Sequence, residues 1–211
     1  MLELTDVQAR LGSLTDVFVD AHLVAANRMK KFGEAVPEAI AALNSTERAN
    51  VMHGQVRQLV LVDVESRSDV RQVHWNSLLF LIGIGDDVLV RFKYLGHGRP
   101  ANVHTEQQHL LERQQYDEQM WSALDESGFK DAPTLVTCGY TLDGMDIGKV
   151  SIRRDCIGRE PWSFEIYGGT AVVEPMMLKG LSIDETRPAR VTSKSKKRDG
   201  QTGTDDNSSG K

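Results

Sequence analysis

Apolar residues between positions 5 and 32 recur at steps of three and four: Val7, Leu11, Leu14, Phe18, Ala21, Ala25 and Met29. That period places them on one face of a long amphipathic helix, with a break expected at Gly12-Ser13 and a stop at Gly33. Pro37 suits the first turn of a short helix over residues 38–43. Asn44, followed three residues later by Glu47, predicts a capped start to another helix carrying Ala49, Met52, Val56, Leu59 and Val60.

The period then changes from helical to alternating. Residues 78–84 and 88–95 read as two strands joined at Gly85-Asp86-Asp87, a tight hairpin signal. In the second strand Val88, Val90, Phe92 and Tyr94 point one way, and Arg91 and Lys93 the other. The polar stretch 96–100 leads into a helix expected from residue 105 to about 124. Three more strands follow at 134–142, 147–154 and 162–167, the first two linked by Asp143-Gly144 and the last two through residues 158–161. Val136, Cys138, Tyr140, Val150, Ile152, Trp162, Phe164 and Ile166 fall on one face of these strands. Thr137, Thr141, Ser151, Arg153, Ser163 and Glu165 fall on the other, as a half-buried antiparallel sheet requires.

The pattern as a whole predicts an α+β fold with N-terminal helices packed on one face of a roughly five-stranded antiparallel sheet. Residues 1–62 are expected to be mainly helical and residues 78–168 to form the sheet with one inserted helix, in a single domain spanning 1–184. Residues 185–211 are rich in Ser, Thr, Lys, Arg, Gly and Asp and nearly free of apolar side chains, so a disordered tail is expected there.

Charge sharpens this division. The chain of 211 residues carries a formal net charge of −5. Residues 186–211 hold seven bases against three acids, which leaves the rest of the chain markedly acidic. Such a body is a poor general surface for coating DNA, so any nucleic-acid contact must be local or come from the tail. No apolar run approaches the ~18 residues of a membrane-spanning helix. The first residues lack the pattern of a signal peptide, and only Cys138 and Cys156 are present. A cytoplasmic location, no membrane contact and buried, inert thiols are the expectations.

Candidate chemistry is sparse. The stretch from Gly144 to Ser151 approaches a phosphate loop but is one residue short between its glycines, and Val150 stands where a hydroxyl should follow Lys149. His104 and His109 are five apart, roughly 140° around a helix, where a metalloprotease pair needs four. Glu106 shares a helical face with His109, and Asn50 with His53 and Arg57, but two ligands do not make a metal site. No cofactor or metal is expected, and no complete catalytic motif is present. The stronger constellation is basic. Arg91 and Lys93 share the non-core face of one strand, and Arg153 is expected on that same face, among Ser and Thr hydroxyls suited to a phosphate or nucleic-acid backbone. A second basic patch, Lys194, Lys196, Lys197 and Arg198, lies in the tail and can add non-specific affinity for nucleic acid.

The segment from Glu47 through Arg48-Ala49 to Met52-His53 resembles a helical Arg-Ala-x-x-(Ile/Met)-His motif. Arg91-Phe92-Lys93, then residues 102–108, Gly139-Tyr140 and Trp162 follow in a similar order. Together they resemble a prophage and mobile-element family encoded beside helix-turn-helix regulators that carry an ImmA/IrrE-type metallopeptidase domain, in Rosmer-type toxin–antitoxin or phage-defence neighbourhoods. The resemblance covers residues 45–168. It departs from the pattern at Gly54, where an acidic residue is expected after the histidine, and the segment 114–133 is not distinctive. It implies an effector held in check by a neighbouring antitoxin or regulator protein, with Arg48, His53, Arg91 and Lys93 as residues of interest. The alternative, read from the residues themselves, is a small nucleic-acid- or nucleotide-binding protein using Arg91, Lys93, Arg153 and the tail.

Overall fold

A computed structural model describes residues 1–75, 79–96, 99–100, 106–154 and 161–168. The tail lysines, Cys156 and His104 lie outside these residues, and so do the expected end of the domain at 184 and the start of the first predicted strand at Leu78.

Four helices come first: α1 (Leu4–Leu11), α2 (Leu14–Ala35), α3 (Pro37–Ala42) and α4 (Ser45–Val64). The expected break falls at Gly12, whose φ of +48° is open to glycine and strained for other residues. Gly33 does not stop α2, which runs two residues past it. A Cβ at Gly33 would lie 3.2 Å from the Met145 methyl, so this glycine admits the tip of a hairpin against the helix. Asn44 and Glu47 form the expected reciprocal cap of α4, at 2.9 and 2.8 Å.

Among the described residues, seven strands follow: β1 (Val70–Trp75), β2 (Leu79–Ile84), β3 (Val88–Gly96), β4 (Arg99–Pro100), β5 (Thr134–Asp143), β6 (Asp146–Arg154) and β7 (Trp162–Gly168). Six of them lie in the order β1-β2-β3-β5-β6-β7, and the two-residue β4 pairs with β3. The sheet therefore has one strand more than expected. β1 is the addition, and its alternation is masked because Arg71 shares a face with Val73 and Trp75. Its guanidinium lies 4.2 Å over the Phe129 ring and donates to the Gly85 carbonyl at 2.7 Å.

One pair, β3 with β5, is parallel. A parallel pair needs a crossover, and the chain makes it through α5 (Glu106–Glu112) and α6 (Glu118–Glu126). The single helix expected there is thus two. Gln114, at φ 57°, and Asp117, whose carboxylate accepts from the Met120 amide at 2.7 Å, mark the break and the restart.

Helices pack on both faces of the sheet, over part of the second. On the first, α1–α4 bury Phe18, Met52, Val56 and Val60 against Phe80, Val90, Phe92, Val136, Tyr140 and Val150. There α2 lies over β6 and β7, and α4 over β3 and β1. On the second, Leu111, Met120, Leu124 and Phe129 pack on Val73, Trp75, Leu81, Leu89 and Leu135. This second layer extends the expected packing on one face. Among the described residues, no helix is long and apolar enough to cross a membrane.

Candidate functional site

The second face of the sheet has two halves. Beyond the apolar half, the side chains of β3, β5, β6 and β7 become polar. Register places Leu81, Arg91, Thr137, Arg153 and Ser163 in one row across five strands. The next row holds Lys93, Gly139, Ser151 and Glu165. Neighbouring strands lie about 4.8 Å apart, so Arg91 and Arg153 flank Thr137 with backbones about 10 Å from one another. Lys93 stands one row on, about 7 Å along β3 from Arg91.

Arg91 is only 3 % exposed, and its Nε donates to Oγ1 of Thr137, itself buried, at 2.7 Å. That bond fixes the plane of the guanidinium. Lys93 and Arg153 are half-buried, and Ser151, two residues before Arg153 on β6, is buried. All three cations make further contacts. Lys149 pairs with Glu165 at the margin of this surface, which gives that carboxylate a partner of its own. At Gly139 a Cβ would collide with the Leu95 side chain, so glycine lets the buried Leu95 lie over β5.

Arg48 and His53 lie elsewhere. Both are on α4, over the first face, with the sheet between them and the basic row. The Nε of Arg48 donates to the Leu43 carbonyl at 3.0 Å, and its side chain borders a groove formed with Met29, Met52, Tyr94, Leu142 and Met145. His53 is pushed below the usual histidine range, first by burial and then by Arg57. The five predicted binding residues therefore form two groups.

A third group escaped the sequence reading. His22 is fully buried in α2 beneath the sheet face, one helical turn from Phe18 and Ala26 on the same stripe. Its Nδ1 lies 2.6 Å from the Phe18 carbonyl, which can only accept, so Nδ1 carries the proton. Among the described residues its buried Nε2 has no hydrogen-bond partner, nor does the hydroxyl of Tyr140, whose ring lies 5.0 Å away. Burial lowers His22 to about 4, the bond to Phe18 opposes that shift, and the nearby His53 adds to it. The four-residue spacing from Phe18 was the available signal.

Residues 144–151 form the β5–β6 turn and the start of β6, not a strand-to-helix loop, so the phosphate-loop likeness has no structural counterpart. Among the described residues, no three His, Cys, Asp or Glu side chains cluster to hold a metal ion. Cys138 is fully buried, and burial pushes its thiol up, away from the reactive thiolate. No protein-family model, curated protein or solved structure matches the chain.

Proposed function

We propose that this chain is a binding protein for a phosphate-bearing ligand, a nucleic-acid strand or a nucleotide, held at the polar half of the second sheet face. The observation that carries this reading is the row Arg91, Thr137, Arg153, with Lys93 one step along β3. Three cations interleaved with hydroxyls on rigid strands suit phosphate oxygens, because charge-assisted bonds to phosphate are roughly twice as strong as neutral ones. Arg91, buried and pinned by Thr137, adds a fixed positive charge beneath the surface, and Lys93 and Arg153, half-buried, supply the charge nearer to solvent. The acidic remainder of the chain favours a confined contact over general coating of nucleic acid.

The test is the anisotropy of a short labelled single-stranded DNA, with ATP as competitor, for the parent protein and for Lys93→Gln combined with Arg153→Gln. Loss of both cations weakens binding by about 100-fold, at about tenfold for each charge-assisted contact. Competition by ATP at matched phosphate concentration identifies a nucleotide-sized ligand, and its absence identifies a strand. Unchanged affinity in the double variant, with the melting curve preserved, rejects the reading.

A second reading is a toxin-like or phage-defence effector regulated by a neighbouring antitoxin protein, as the resemblance implies. It is favoured by the outer surface of the helical layer. Of the large apolar residues that stand exposed, Val24, Phe32, Val51 and Val62 belong to α2 and α4, and Val36 joins α2 to α3. Its test is growth of a host expressing the chain alone and with the adjacent gene. Harmless expression and no co-purifying partner reject it.

A further inference from the structure

Beyond the two rows assigned to phosphate, a third row crosses the polar half of the sheet. Register sets Thr141, Lys149 and Gly168 side by side on β5, β6 and β7. Lys149, Ser151 and Arg153 are alternate residues of β6, so all three belong to that face. Four residues separate Lys149 from Arg153, about 13 Å along the strand. Lys149 is thus a further cation within reach of a ligand laid along β6, and about half of its side chain is exposed.

It is already engaged. Glu165 stands in the middle row, opposite Ser151, yet its carboxylate pairs with Lys149 in the third. Gly168 makes that reach possible, because a Cβ there would collide with the carboxylate of Glu165. The pairing of β6 with β7 is irregular at this point: β6 passes from Val150 to Ser151 while β7 passes from Tyr167 to Glu165. An extra residue on one strand re-aims its neighbours, and here Glu165 leans along β7 toward Gly168, away from Ser163.

A phosphate placed over Lys149 must take the ammonium from Glu165, and it then stands beside a freed carboxylate of its own sign. One exposed ionic contact replaces another of similar strength, and the added repulsion leaves no net gain. The row of Arg153 has no such carboxylate on β7, where the neutral Ser163 stands.

We propose that Glu165 is a specificity-determining residue of the phosphate site, closing its third row by silencing Lys149. This rests on the phosphate-binding reading of the same face. With the third row closed, binding is confined to phosphates that fit the rows of Arg153 and Lys93, as on a nucleotide or the end of a strand. A strand laid along the full length of β6 gains nothing from its reach to Lys149.

The experiment is the anisotropy of a labelled DNA single strand of about twelve nucleotides across a salt series, with ATP as competitor. The proteins are the full-length parent, Glu165→Gln, Lys149→Gln and the two combined, each with its melting curve preserved. Parent and Lys149→Gln should bind the strand alike, with a slope of about −1.4 in log affinity against log salt. Glu165→Gln should bind it about tenfold tighter, with a slope of about −2.1, as one more phosphate contact requires. ATP, whose phosphates are too close together to span from Arg153 to Lys149, should keep its affinity. The combined variant should return to the parent's affinity and slope. Equal strand affinity in the parent and Glu165→Gln overturns the proposal. So does a gain that persists in the combined variant or extends equally to ATP, which marks a general effect of charge. Weaker binding by Lys149→Gln alone also overturns it, because Lys149 would then already hold phosphate. If neither the parent nor Glu165→Gln binds strand or ATP, the phosphate-binding reading falls as well. Binding that depends on Lys93 and Arg153, without a gain in Glu165→Gln, removes this proposal alone.

Discussion

His22 shows what one residue contributes at the interface of helix and sheet. It faces Phe18 on its own helix, Tyr140 and Phe92 on the strands and His53 on α4, and its buried Nε2 has no partner among the described residues. Its folded-state value, lowered to about 4, lies below the ordinary 6.5, so the unfolded chain takes up a proton before the folded one does. Stability from this group is complete above pH 6.5 and is lost as pH falls towards 4, by about 3 kcal/mol over the whole interval. His53, also lowered, adds in the same direction. Urea denaturation of the parent and of His22→Leu at neutral pH and near pH 5 measures this. The variant should show a flatter decline and little loss at neutral pH, since an apolar replacement removes a buried unpartnered atom. An identical decline in both proteins would show that His22 does not carry the acid sensitivity.

At the scale of elements, two glycines separate packing from conformation. Gly33 was legible only as a helix stop, because composition does not reveal that a hairpin tip packs on it. The neighbouring atom is the far end of a methionine, which can yield, and alanine favours a helix over glycine by roughly 1 kcal/mol. Gly33→Ala is therefore expected to be neutral or mildly stabilising in a denaturant melt. Gly83→Ala is the opposite case: its Cβ would lie 2.7 Å from the ring of Phe129, which cannot slide away without disturbing the core around Leu124 and Leu135. A loss of roughly 1–3 kcal/mol is expected, as for other overpacked sites. If the two substitutions have equal effects, the assigned contacts are wrong. Asn44→Ala should cost about 1 kcal/mol by removing the cap of α4.

The elements that were readable in advance are those whose pattern depends on one face. Alternation in β3, β5, β6 and β7 separated Val136, Cys138 and Tyr140 from Thr137 and Arg153, and the structure places each set on its own side. β1 was not readable, because Arg71 lies with the apolar residues through its contact with Phe129. The parallel pairing of β3 and β5 was not readable either. Neighbours in space that are distant in sequence leave no local period, and a crossover helix broken at Gln114 looks like one helix in apolar spacing.

For the whole molecule, the sheet acts as a partition. Arg48 and His53 stand on one side of it, and Arg91, Lys93 and Arg153 on the other. The sequence alone could establish that Arg91 and Lys93 share a face, since they are two apart on one strand. Setting Arg153 in line with Arg91 required the register of two further pairings, one of them parallel. This geometry makes the basic row the account's central claim.

The most direct measurement of that claim is the salt dependence of single-stranded DNA binding between about 50 and 200 mM salt. If Lys93 and Arg153 engage phosphates, log affinity should fall with log salt at a slope of about −1.4, and Lys93→Gln with Arg153→Gln should bring that slope to about zero. A flat dependence in the parent, or the same slope in parent and double variant, would contradict a phosphate-binding role for this face.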